Sequence, residues 1–130
     1  MPQRDRSHLV LLFVVLVLSG CRSTPVRPSS FTTVDQPVEV VHKAAVNALV
    51  STGFDVERTE ALYIEGYRPR RWGLVAGSGG ETVAIWLEWE SPSRTRMSID
   101  TGQTFLGGAG QKNWNYEVFN AIHRELERKD

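Results

Sequence analysis

One ten-residue stretch, Glu81 to Glu90 (ETVAIWLEWE), restricts the fold of this chain more than any other. As an extended strand it places Val83, Ile85, Leu87 and Trp89 on one face and Thr82, Ala84, Trp86, Glu88 and Glu90 on the other. A strand with one apolar face needs strand neighbours at its edges and a second layer over that face. Ser91-Pro92-Ser93 turns the chain, and a return strand with Glu90 opposite Arg94 sets Glu88 against Arg96 outside, and Leu87 against Met97 and Ile85 against Ile99 inside. Slipping that register by one residue would turn arginines into the core, so the pairing is well specified.

The other elements are shorter. Phe31 to Val34 is a β-branched and aromatic run suited to a strand. Asp35-Gln36-Pro37 predicts a helix start with proline at the first helical position and Glu39 reaching back to the cap. Val38, Val41, Ala44, Ala45, Ala48 and Leu49 then recur at three- and four-residue spacing, a thin alanine-rich stripe able to lie close to a sheet. Gly53 supplies the left-handed turn that ends such a helix. Residues 54–57 and 62–67 alternate and read as strands with Phe54, Val56, Leu62 and Ile64 inward, and Pro69 closes the second. Two glycine-rich connections follow, Gly73 to Gly80 and Thr101 to Gly110, the second holding Phe105 and Leu106. Asn113 is placed to cap a last helix whose inner stripe is Val118, Phe119, Ile122 and Leu126. The order predicts an α+β two-layer sandwich: an antiparallel sheet of about five strands with two helices on one face.

Ahead of this domain lies a different kind of sequence. Arg4 and Arg6 precede a wholly apolar run, Leu9 to Leu18 (LVLLFVVLVL), closed by Ser19-Gly20 and Cys21, the one cysteine of the chain. That is the layout of a secretory signal peptide. Crossing a bilayer takes about 20 apolar residues, twice what is present, so the run is not expected to persist as a membrane span. Leu18-Ser19-Gly20-Cys21 resembles the lipobox of bacterial lipoproteins. The resemblance implies that the Cys21 thiol receives a diacylglycerol, that cleavage follows Gly20, and that the new amino terminus is acylated. Several acyl chains, at about 0.8 kcal/mol per buried CH₂, anchor a protein where a single chain does so only marginally. In such lipoproteins an Asp after the cysteine favours retention at the inner membrane. Arg22 stands there instead, which implies an outer-membrane protein facing the periplasm.

The expected organisation is a cleaved leader over 1–20, a flexible tether over 21–30 rich in Ser, Pro and Arg, and a single domain over 31–130. Basic and acidic residues balance at 15 each, which argues against nucleic acid as a partner and against electrostatic adhesion to anionic lipid. The one basic cluster, Arg68-Pro69-Arg70-Arg71 beside Trp72, reads as a solvated hairpin tip.

Reactive constellations are sparse. His42 and His123 stand one per helix at polar or flanking positions, too few for a metal site, and no metal or cofactor is expected. There is no G-x-S-x-G elbow, Gly77-Ser78-Gly79-Gly80 precedes a strand where a dinucleotide loop precedes a helix, and Gly108 stands where a P-loop requires lysine. Glu81, Glu88 and Glu90 suggest an acid and base pair for sugar hydrolysis, but the register gives Glu88 and Glu90 arginine partners.

By strand parity Tyr63, Tyr67 and Trp86 project from the outer face, with Trp72 and the arginines at the adjoining tip and no third layer expected to cover them. Aromatics with arginine are enriched at interaction hot spots and also stack on sugar rings. The lipobox, the short tether, the strand leading into a proline-started helix, "GFDV", the "I-x-G" strand and the closing helix resemble together a group of small bacterial lipoproteins with a β-α-β-β-β-β-α domain. No activity carries over from that group, and the resemblance implies a domain that serves as a binding or structural module. The expectation is a membrane-anchored binding or structural module, with an envelope protein or a second copy as partner. A peptidoglycan- or glycan-directed binder or weak hydrolase is the alternative.

Overall fold

A computed structural model describes residues 24–69, 80–102 and 112–128. Within them the elements run β1 (Thr32–Val34), α1 (Val38–Ser51), β2 (Asp55–Glu60), β3 (Tyr63–Arg68), β4 (Glu81–Ser91), β5 (Arg94–Gly102) and α2 (Asn115–Glu127). Among the described residues the strands form one five-stranded sheet in the order β1-β5-β4-β3-β2, every neighbouring pair antiparallel. The two helices pack on each other and against one face of that sheet, giving the expected α+β two-layer sandwich.

The register of the β4–β5 hairpin follows from its alternation. Glu88 pairs with Arg96, Leu87 with Met97 and Ile85 with Ile99. The turn differs by one residue: Ser91 and not Glu90 stands opposite Arg94, and the ladder shifts between Trp89 and Ser91. The extra residue is Glu90, and the bulge lets its carboxylate reach Arg96 Nη2 at 3.2 Å. Trp89, expected inside, is 57% exposed, because burial of the inward positions of β4 ends at Leu87. Leu62, also expected inside, is 45% exposed because it sits in the β2–β3 turn and not in β3.

The core joins Val41, Ala44, Ala45, Ala48 and Leu49 of α1 and Val118, Ala121 and Ile122 of α2 to Ile64, Val83, Ile85, Leu87 and Met97 of the sheet. Alanines and one glycine set the spacing between layers. A Cβ on Gly66 would stand 3.1 Å from Phe54 Cβ and 3.2 Å from Leu49 Cδ1, so the missing side chain is what lets α1 settle on β3. Gly53, at φ +88°, makes the reversal from α1 into Phe54.

The helix starts differ from the expected caps. Pro37 is itself the cap residue of α1, extended at ψ 149°, and its carbonyl accepts from the N–H groups of Val40 and Val41. Neither Asp35 nor Glu39 caps it; the Asp35 carboxylate takes the Arg94 Nε–H at 2.9 Å. At α2 the residue in the cap position is Trp114, one later than expected, while Asn113 Oδ1 still accepts the Asn115 N–H at 2.9 Å.

Candidate functional site

The anchoring set Leu18, Ser19, Gly20 and Cys21 lies outside the described residues, as do Arg70, Arg71 and Trp72 of the tip and Phe105 and Leu106 of the second glycine-rich connection. The remaining candidates are on the outer face of the sheet, and the register brings two of them together. Tyr63 pairs with Trp86 across β3 and β4, and their rings sit 5.6 Å apart, tilted by 59°. The Arg58 guanidinium from β2 lies 4.9 Å from the Tyr63 ring centroid. The Tyr63 hydroxyl donates to Glu65, two residues along the same strand and so on the same face. Burial first, and then this hydrogen bond to a carboxylate, push the Tyr63 phenol up to about 12.

Tyr67 stands apart from that pair, opposite Thr82, and its hydroxyl accepts the Gly80 N–H at 3.2 Å. Tyr63, Tyr67 and Trp86 are all half-buried, so the outer face is less open than parity alone implies.

Residues 24–30, read in the sequence as a flexible tether, lie over the β4–β5 part of this face. Pro25 is buried, and the Val26 N–H donates to Asp100 Oδ2 at 2.9 Å. Arg27 Nη2 meets Glu88 Oε2 at 2.9 Å, and Ser98 Oγ donates to the Ser30 carbonyl at 3.0 Å. The Phe31 ring then lies under Arg96, 4.6 Å from its guanidinium carbon, before β1 begins. Asp100, Ser98, Arg96 and Glu88 all belong to the outer face of β4 and β5. The segment is therefore a strap laid across that face. The sheet favours it there because small residues line the path: Ala84, opposite Asp100, is fully buried, and Ser98 nearly so. A run rich in proline keeps its amides and carbonyls free for such side-chain bonds. The signal was present in the sequence as Ala84, Ser98 and Asp100, small or accepting positions on a face that would otherwise be expected to carry bulky solvated side chains.

Two of the carboxylates considered for hydrolysis are held by arginines, and the third is buried. Glu88 faces Arg27 at 2.9 Å and Arg96 at 3.9 Å, Glu90 faces Arg96, and Glu81 is buried opposite Arg68 in the ladder. His42 Nε2 sits 2.9 Å from the Glu60 carbonyl and 3.1 Å from Thr59 Oγ1, tying α1 to the end of β2. His123, expected at the surface, is half-buried with its ring 4.4 Å from that of Phe119. Among the described residues no three His, Cys, Asp or Glu side chains converge on a point that could hold a metal ion.

A further cluster, centred on Trp114, was not anticipated. Phe54 meets its indole edge-on at 5.4 Å, while the Arg68 guanidinium lies 4.5 Å and the Lys112 ammonium 4.3 Å from its ring centroid. Arg68 also donates to the Thr52 carbonyl at 3.2 Å, where cations suit the negative end of helix α1. Lys112 pairs with Glu117, and that hydrogen bond is what lowers the Glu117 pKa. Trp114 precedes the first residue of α2, and Thr101 Oγ1 accepts its N–H at 3.0 Å, so the cluster is pinned to the end of β5. No protein-family model matches the chain, and no curated protein matches it.

Proposed function

We propose that this chain is a lipid-anchored bacterial envelope lipoprotein, facing the periplasm from the outer membrane, whose domain is a non-enzymatic binding or structural module. The observation that carries the reading is Leu18-Ser19-Gly20-Cys21 directly after a charged and then wholly apolar leader. Its chemistry requires small residues for peptidase access and a thiol for the lipid, and both stand at the required places. The domain supports a holding role. Its outer-face side chains are committed to one another: a phenol held neutral, carboxylates held by arginines, and an aromatic pair fixed by the register. The Tyr63–Trp86 pair with Arg58 is the portion of that face offered to a protein partner, whether another envelope protein or a second copy.

Replacing Cys21 by Ser tests the anchor. The expected product is an uncleaved precursor that takes up no radiolabelled fatty acid, while the wild-type chain is cleaved and labelled. A mature, lipid-labelled Cys21→Ser product would overturn the reading.

A further inference from the structure

We infer that the strap fixes which end of the domain faces the membrane: the end of the sheet at Gly102, Arg68 and Lys112 is held against the lipid headgroups, and the opposite end points away. The inference rests on Cys21 carrying the lipid, and adds to it an orientation and a contacting surface.

The direction of the strap carries the argument. Thr32 pairs with Met97, Ser30 is bonded to Ser98, and Val26 is bonded to Asp100, so moving back towards the amino terminus the chain advances along β5 towards Gly102. Thr24 is the first described residue, and Cys21 precedes it by three. Three residues span at most ~11 Å, so the lipidated atom stays close to the end of the sheet at which the strap finishes. A loose chain from Cys21 to β1 would instead reach over ~35 Å and impose no orientation. The sheet is roughly 35 Å long by the eleven residues of β4, so an 11 Å leash selects one end of it while a 35 Å leash does not.

The selected end is chemically suited to that position. Arg68 ends β3, Lys112 precedes α2, and between them their cations bracket the Trp114 indole at 4.5 and 4.3 Å. The indole itself is packed against the core with its Nε1 buried, so what this end offers to anionic headgroups is its cations, with Lys112 exposed at the surface. The far end carries the Ala61-Leu62 turn and the Ser91 to Ser93 turn, with Asp35 and Arg94 paired to each other.

The full, lipidated chain tests this in vesicles of phosphatidylethanolamine and phosphatidylglycerol containing a headgroup spin-labelled lipid. Because the Cys21 sulfur is consumed by its thioether, a single fluorophore can be placed at Asn113→Cys or at Ser93→Cys, both exposed positions that leave Arg68 and Lys112 in place. Quenching several-fold stronger at position 113 than at 93 is the expected result. In an Arg27→Glu, Asp100→Ala background, which removes two strap contacts, that ratio should fall towards one with lipid label unchanged. Equal quenching at the two positions in the otherwise native, vesicle-bound protein overturns the orientation while leaving the anchor intact. Failure of the native chain to bind vesicles removes the anchor itself, and the orientation with it.

Discussion

The contact between α1 and β3 offers a test in which two substitutions that are each harmful should cost less together than their sum. Leu49 is fully buried, and its methyl carbons lie 3.2 and 3.4 Å from the place a Cβ on Gly66 would occupy. Leu49→Ala removes three carbons and leaves a cavity whose floor is a residue with no side chain, so the sheet has nothing to move into the gap. The cost belongs at about 3–4 kcal/mol, within the range of buried leucine truncations where the site collapses poorly. That is a large share of the roughly 5–15 kcal/mol that stabilises a domain of this size. Gly66→Ala alone presses a Cβ against Phe54 Cβ at 3.1 Å as well as Leu49, and should cost about 1 kcal/mol by overpacking despite the gain in chain stiffness. With Leu49 already shortened, the same methyl keeps only its close contact with Phe54, so its cost should shrink by about 1 kcal/mol, a coupling well above the error of a double-mutant cycle. Urea unfolding of a form lacking residues 1–20, followed by tryptophan fluorescence, reads all four forms; at a slope of about 1–2 kcal/mol/M the Leu49→Ala midpoint should drop by roughly 2 M. If Gly66→Ala is equally destabilising with and without Leu49, the close approach of α1 to β3 is not what the glycine serves, and the layer spacing derived from it falls.

Three further outcomes follow from the same geometry. The Tyr63 phenol, lifted from about 10 in the unfolded chain to about 12, stays neutral longer in the folded state. Its contribution is therefore complete below pH 10 and is lost as pH rises towards 12; ultraviolet titration should show one late tyrosine that disappears in Tyr63→Phe and moves down in Glu65→Gln. Thr95 is fully buried and its hydroxyl donates to the Gln36 carbonyl at 2.9 Å, so Thr95→Val should cost about 1–2 kcal/mol in urea unfolding by leaving that carbonyl unpaired; an unchanged midpoint would show the turn before α1 holds without it. Gly53→Ala should lose about 1 kcal/mol in the same assay through its φ of +88° alone, because the nearest atom to its Cβ, on Arg68, is 3.7 Å away.

Alternation in β4 and spacing in α1 made the sheet, its hairpin register and the inner helix face legible, since period two and period 3.6 are local consequences of backbone geometry. Trp89 and Leu62 were misplaced by the same rule, because parity assigns a face without saying where along a strand the opposing layer stops. The start of the first helix was placed one residue early, because Pro37 stays extended and itself supplies the cap carbonyl, while Asp35 before it is held by Arg94, a partner 59 positions distant that no local pattern announces. On the outer face, parity grouped Tyr63, Tyr67 and Trp86, yet the register joins Tyr63 with Trp86 and leaves Tyr67 to Gly80.

By itself, then, the sequence determined the layer architecture, the antiparallel pairing and the proposed lipid-bearing cysteine, all of which depend on order and periodicity along a continuous stretch. Tertiary structure alone decided that residues 24–30 lie across the sheet and do not swing free. It also decided that Trp114 gathers Arg68, Lys112 and Phe54 at one end. Lys112 apart, which stands two residues from Trp114, these are meetings between residues tens of positions apart, and their free energy exists only once the fold has closed the intervening loops.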